Sequence, residues 1–106
     1  MTHTDALNLC LIELSSRGCM VCRREVGLFR DMRGFPRHVG TKGEADIQGI
    51  MPGGRGIAVE VKIGEAVQNP QQKKWMKRFM DTGGLFILAR IVEKEDVKKI
   101  LDLACI

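Results

Sequence analysis

Apolar positions along this chain recur with two periods, and the switches between them mark out the elements. Over Asp5–Ser16, Leu7, Cys10, Leu11 and Leu14 repeat at helical spacing; Thr4 offers a cap and Gly18 a stop, so the stretch predicts a helix. Cys19 to Val26 predicts a strand carrying Arg23 and Arg24 towards one end, and Gly27 to Gly43 a loop with room for a strand turn. From Gly43 to Lys62 two short strands flank the turn Pro52-Gly53-Gly54. In the second, Ile57, Val59, Val61 and Ile63 share one face while Ala58, Glu60 and Lys62 share the other.

Asn69 or Pro70 opens a second predicted helix that runs to Gly83-Gly84. Trp75, Met76, Phe79 and Met80 form its apolar face, and Lys73, Lys74, Lys77 and Arg78 the opposite one. Leu85 to Val92 is a nearly unbroken apolar run, the pattern of a strand buried on both faces and interior to a sheet. Val97, Ile100 and Leu101 set a closing helix over Lys94–Leu103. The order is αβββαβα, an α/β domain over residues 1–106 without repeats or linkers.

The polar residues on packed faces are the informative ones. Glu60 and Lys62 point the same way along their strand, and pairing of the two strands brings Asp46 beside that face. Gln72 lies on the packed side of the second helix and points at the sheet. A buried Gln, Glu and Lys are costly together unless they satisfy one another or bind something. Two carboxylates and a lysine would frame a pocket for a hydrated divalent cation. Glu13 stands inside the apolar arc of the first helix; it either needs a partner there or reaches water from the rim.

Composition narrows the setting. The chain of 106 residues has a net charge of +4, which mildly favours a polyanionic partner. Arg30, Arg33, Arg37, His38 and Lys42 concentrate in the loop ahead of the carboxylates, a distribution suited to gripping a phosphate backbone, although a solvated surface explains it too. No apolar run reaches the ~18 residues that span a bilayer. No secretory signal is visible, and a reducing cytoplasm is expected. Of Cys10, Cys19, Cys22 and Cys105, only Cys19 and Cys22 have metal-like spacing, and nothing completes a zinc site around them.

With GEADIQG, IAVEVK and NPQQKKWMKRFMDTGG on the page, the chain resembles a stand-alone VRR-NUC domain, the virus-type replication and repair nuclease branch of the PD-(D/E)XK superfamily. The resemblance covers most of the chain from Arg24 onward. It implies a restriction-endonuclease-like core, a mixed central sheet with helices on both faces, and a metal-dependent endonuclease. By that resemblance Asp46, Glu60 and the Val61 carbonyl bind Mg²⁺ or Mn²⁺, Lys62 positions or deprotonates the attacking water, and Gln72 orients Lys62 or that water. The family's glutamate on the first helix is missing from its usual place, where Thr4 and Asp5 stand, and Glu13 is the candidate substitute. Stand-alone members resemble Holliday-junction resolvases, which implies a homodimer cutting branched DNA in repair. Arg24, Arg30, Arg37 and Lys42 are the candidate DNA contacts; Leu28, Phe29 and Phe35 are candidate interface positions that core packing explains equally well. Two other readings stand beside this one: a DNA-binding structural subunit that keeps the fold without cutting, and a zinc adaptor built on Cys19 and Cys22.

Overall fold

In the computed structural model the described residues are 1–24 and 27–106, with the side chains at 27–29 and 37–39 left aside. The first helix, α1, spans His3–Ser16. The Thr2 hydroxyl accepts the Asp5 N–H at 3.1 Å, and the Asp5 carboxylate accepts the Thr2 N–H at 3.3 Å. This reciprocal cap, worth about 1 kcal/mol, starts the helix ahead of the expected Thr4. Gly18, at a φ of 87°, turns the chain out of it.

Four strands form the main sheet: β1 (Met20–Arg23), then β4 (Ile47–Ile50), β5 (Gly56–Lys62) and β6 (Leu85–Arg90), in the spatial order β1-β4-β5-β6. The first two pairings are antiparallel and the last is parallel. The parallel step requires a crossover, supplied by α2 (Pro70–Asp81). Between β1 and β4, the expected loop holds an antiparallel ribbon of β2 (Gly27–Arg30) and β3 (Pro36–Val39). Its turn is stapled by Asp31, whose Oδ1 accepts the N–H groups of Arg33 and Phe35 at 2.9 and 3.0 Å. Among the described elements, this ribbon packs substantially only on itself.

The core lies on one face of the sheet. Ala6, Leu7, Cys10 and Leu14 of α1 and Val97 and Leu101 of α3 (Glu95–Leu103) close over Ile57, Val59, Val61, Ile87 and Ala89. Helix α2 covers part of the other face: Trp75 stacks on Phe79 with centroids 5.1 Å apart and meets Phe86 at 6.3 Å. The expected architecture of a mixed sheet between helices is thus observed. Helix α2 nevertheless buries no residue fully, and Met80, assigned to its packed face, is 53% exposed.

Two further expectations are corrected. Strand β1 ends at Arg23, and residues 25 and 26 of the expected strand lie outside the described residues. Strand β6 sits at the edge of the sheet, paired only with β5, instead of in its interior. Its apolar run reports helices over both faces; it carries no information on how many strands flank it. Leu88, left uncovered by α2, is 43% exposed.

Candidate metal and nuclease site

The antiparallel register sets Ile47 against Val59, and its continuation sets Asp46 level with Glu60 at the ends of β4 and β5. Directly opposed residues share a face, so the pairing alone brings two carboxylates together. Asp46 is fixed by the Val61 backbone N–H, which donates to its Oδ2 at 2.8 Å.

Glu60 is 1% exposed, and neither of its oxygens has a hydrogen-bond partner. The closest cation is the Lys62 ammonium, 3.9 Å from Oε2. Burial pushes the Glu60 carboxyl above its ordinary range; Lys62 and the nearby Gln68 amide draw it down, and the charge of Asp46 adds to the rise. Gln68 is therefore near enough to be felt without reaching hydrogen-bond geometry.

Lys62 is held from the other side. Its Nζ donates to Gln72 Oε1 at 3.1 Å, and its side chain is 12% exposed. Gln72 occupies the third position of α2, where its Oε1 also accepts the Asn69 N–H at 2.9 Å while Asn69 Oδ1 accepts the Gln72 N–H at 2.8 Å. The same glutamine caps the helix and aims the lysine. Gly43 permits the loop ahead of Asp46 to lie on this turn: a Cβ there would stand 2.4 Å from the Gln71 carbonyl oxygen, and its φ is 81°.

The structure therefore brings Asp46, Glu60, Val61, Lys62 and Gln72 into one neighbourhood. Glu13 stays out of it. Its carboxylate pairs with Arg17 at 3.3 Å, and Arg17 also grips Asp102 at 2.7 Å. Ten residues of helix, about 15 Å, separate it from His3, the α1 residue that does reach the strand ends. Asp5, nearer in sequence, is engaged in the helix cap.

His3 is the residue that sequence reasoning missed. Its Nε2 lies 3.0 Å from the Val61 carbonyl oxygen and 3.5 Å from Asp46 Oδ2. The signal was present as Thr2-x-x-Asp5, a capping pattern that starts the helix early enough to put a histidine in its first position.

Among the described residues, no three His, Cys, Asp or Glu side chains form a ready metal-ligating group. The donors nevertheless fit a hard divalent cation: two carboxylates and a backbone carbonyl are oxygen ligands, and the buried oxygens of Glu60 accept no hydrogen bond and have only the Lys62 ammonium, 3.9 Å away, as counter-charge.

Of the candidate DNA contacts, Arg24 is ion-paired to Glu44 at 2.8 Å, and Arg30 donates to the Gly34 carbonyl at 2.9 Å. The Arg37 side chain, like those of Leu28 and Phe29, lies outside the described residues. Phe35 is 59% exposed. Lys42 lines a cleft with Thr41, Gln71, Lys74, Trp75 and Arg78, which adds two basic residues of α2 that the sequence had placed only on an outer face. All four cysteines are free thiols; Cys10 and Cys19 are buried, and burial with the Asp46 charge pushes Cys10 up to about 11.

A mixed sheet whose strand ends carry an acidic pair and a lysine, roofed by a crossover helix, defines the α/β architecture of the chain. The chain has the fold of a VRR_NUC domain: a solved structure described by that name superposes with a TM-score of 0.66 at 19% identity, covering 94% of each chain. No protein-family model matches the chain, and no curated protein does. No helix among the described residues is long and apolar enough to cross a membrane.

Proposed function

We propose that residues 1–106 form one nuclease domain, an Mg²⁺- or Mn²⁺-dependent endonuclease that hydrolyses phosphodiester bonds in branched DNA as a homodimer, in the manner of a Holliday-junction resolvase. The observation that carries this reading is the Glu60 carboxylate, buried without a hydrogen-bond partner at the level of Asp46. Asp46, Glu60 and the Val61 carbonyl would hold the ion. When bound, the ion neutralises charge on the scissile phosphate and lowers the pKa of a coordinated water.

The remaining work falls to the chain itself. The Val61 N–H keeps Asp46 from turning away. The Lys62 ammonium, anchored by Gln72, donates a hydrogen bond to a phosphate oxygen or holds the attacking water in line. Lys42, Lys74 and Arg78, with Trp75 between them, give the backbone of a branched substrate a basic cleft near Gln72. Recognition by shape suits this surface, because among the described residues no element presents a row of base-reading side chains. Four free thiols suit a reducing cytoplasm, that of a bacterium or of a phage-infected host.

The test is a labelled four-way junction incubated with Mg²⁺ or Mn²⁺ and the wild type, Glu60→Ala or Lys62→Ala. Cleavage by the wild type alone supports the reading; equal cleavage by all three proteins overturns the site. One observation favours a second reading, a DNA-binding subunit that does not cut: α1 contributes no carboxylate to the site, Glu13 being paired with Arg17 and Asp5 held in the cap. Junction binding without cleavage in either metal would establish it.

A further inference from the structure

Helix α1 brings an imidazole to the point where a carboxylate was expected. His3 Nε2 lies 3.0 Å from the Val61 carbonyl oxygen and 3.5 Å from Asp46 Oδ2, the oxygen that accepts the Val61 N–H; Asp46 and the Val61 carbonyl are two of the three groups proposed to hold the ion. Ligands on adjacent corners of an octahedral shell with bonds of about 2.1 Å are themselves about 3 Å apart. The imidazole nitrogen thus stands at that spacing from the Val61 oxygen and about half an ångström beyond it from Asp46 Oδ2. The third proposed ligand, Glu60, level with Asp46 in the strand register, is buried with neither oxygen hydrogen-bonded, and its ion-pair partner, the Lys62 ammonium, stands no nearer than 3.9 Å. The Thr2–Asp5 cap fixes the first turn of α1 and therefore the root of the His3 side chain.

Resting on the metal-dependent reading, we propose that His3 is a nitrogen ligand of this site, replacing the first-helix carboxylate and turning the site's preference from Mg²⁺ towards divalent transition ions such as Mn²⁺. Magnesium demands oxygen and dehydrates reluctantly, whereas an imidazole suits transition ions. A carbonyl only accepts hydrogen bonds, so in the ion-free protein Nε2 carries the proton and donates it to Val61. As a ligand, Nε2 would offer its lone pair, and the neutral ring would then carry its proton on Nδ1, exchanged there through solvent. Both histidines of the chain are accounted for in the test, since His38 lies on the separate ribbon.

The experiment titrates Mn²⁺ and, separately, Mg²⁺ into the whole wild-type chain, His3→Ala and His3→Asp. Affinity is followed by calorimetry, and Mn²⁺ ligation by electron spin-echo modulation from directly bonded ¹⁴N. Circular dichroism confirms that each variant keeps its helices; His3 is 48% exposed, so truncation removes little packing. The expected result is ¹⁴N modulation in the wild type that is lost in both variants. Mn²⁺ affinity falls about tenfold or more in His3→Ala while Mg²⁺ affinity moves far less, and His3→Asp recovers Mg²⁺ binding. Mn²⁺ bound with oxygen-only ligation, or with equal affinity in wild type and His3→Ala, overturns the histidine ligand and leaves the metal-dependent nuclease standing. Binding of neither ion by the wild type overturns both.

Discussion

Gln72 Oε1 accepts two hydrogen bonds at once, from the Lys62 ammonium at 3.1 Å and from the Asn69 N–H at 2.9 Å. One atom thereby joins the start of a helix to the direction of a half-buried lysine. Removing it loosens both, and the two losses are read by different measurements. Gln72→Ala should cost about 1 kcal/mol of stability through the lost cap, seen as a lower thermal midpoint. Junction cleavage should fall by about tenfold or more in kcat with little change in KM, because Lys62 is no longer aimed.

Glu60 and Glu44 predict opposite responses to pH. Glu60 is raised above its ordinary range by burial, so the folded protein binds its proton more tightly than the unfolded chain does. Its contribution is therefore favourable at low pH and is lost as pH rises from the ordinary carboxylate range through the raised value. Glu60→Gln should be more stable than the wild type at neutral pH in chelator, by on the order of 1 kcal/mol, and should lose that pH dependence. Urea denaturation in EDTA across pH measures both.

Glu44 carries the other sign. Burial alone would raise it, but the Arg24 guanidinium, the Thr41 N–H at 2.6 Å and the Gln48 amide at 3.1 Å together hold it below its ordinary value. The stability it contributes is present above the ordinary carboxylate range and is lost as pH falls through the depressed value. Glu44→Ala should cost about 2 kcal/mol at neutral pH by leaving these donors unpaired, with the difference from wild type narrowing in acid.

Gly43→Ala should unseat the loop from α2. The added Cβ would meet the backbone of Gln71 and Gln72, and the left-handed φ disfavours any side chain. A loss of about 2 kcal/mol or more is expected in chemical denaturation, accompanied by weaker junction binding because Lys42 moves with the loop.

Lys74→Ala combined with Arg78→Ala should weaken junction binding without altering Mn²⁺ affinity. Each lost phosphate contact lowers the slope of log affinity against log salt by about 1, which fluorescence anisotropy at several salt concentrations resolves. An unchanged slope would remove this cleft from the DNA path.

The alternation Ile57-Ala58-Val59-Glu60-Val61-Lys62 contained the centre of the fold, because a strand buried on both faces tolerates a carboxylate only for a reason. Asn69-Pro70 and Gln72 likewise announced α2 and its place over the sheet. What eluded the sequence has physical causes. The ribbon is too short and too polar for a period of two to emerge, and it depends on Asp31 folding back on its own turn. An apolar run cannot distinguish an edge strand beneath helices from an interior one, hence β6. Glu13 was singled out for standing in an apolar arc, yet the guanidinium that satisfies it comes from Arg17, one turn on along the same helix. His3 read as an isolated histidine because the reach of a side chain in the first turn of a helix is set by the cap behind it, and that cap was placed two residues late.

Among the described elements the β2–β3 ribbon packs substantially only on itself, so its fate is decoupled from that of the strand ends that carry Asp46 and Glu60. Such an appendage can lengthen, shorten or change its charge over generations while Asp46, Glu60 and Lys62 keep their spacing. On the proposed nuclease reading, exchanging it between related chains is accordingly the cleanest way to redirect which DNA is bound while leaving Asp46, Glu60 and Lys62 untouched.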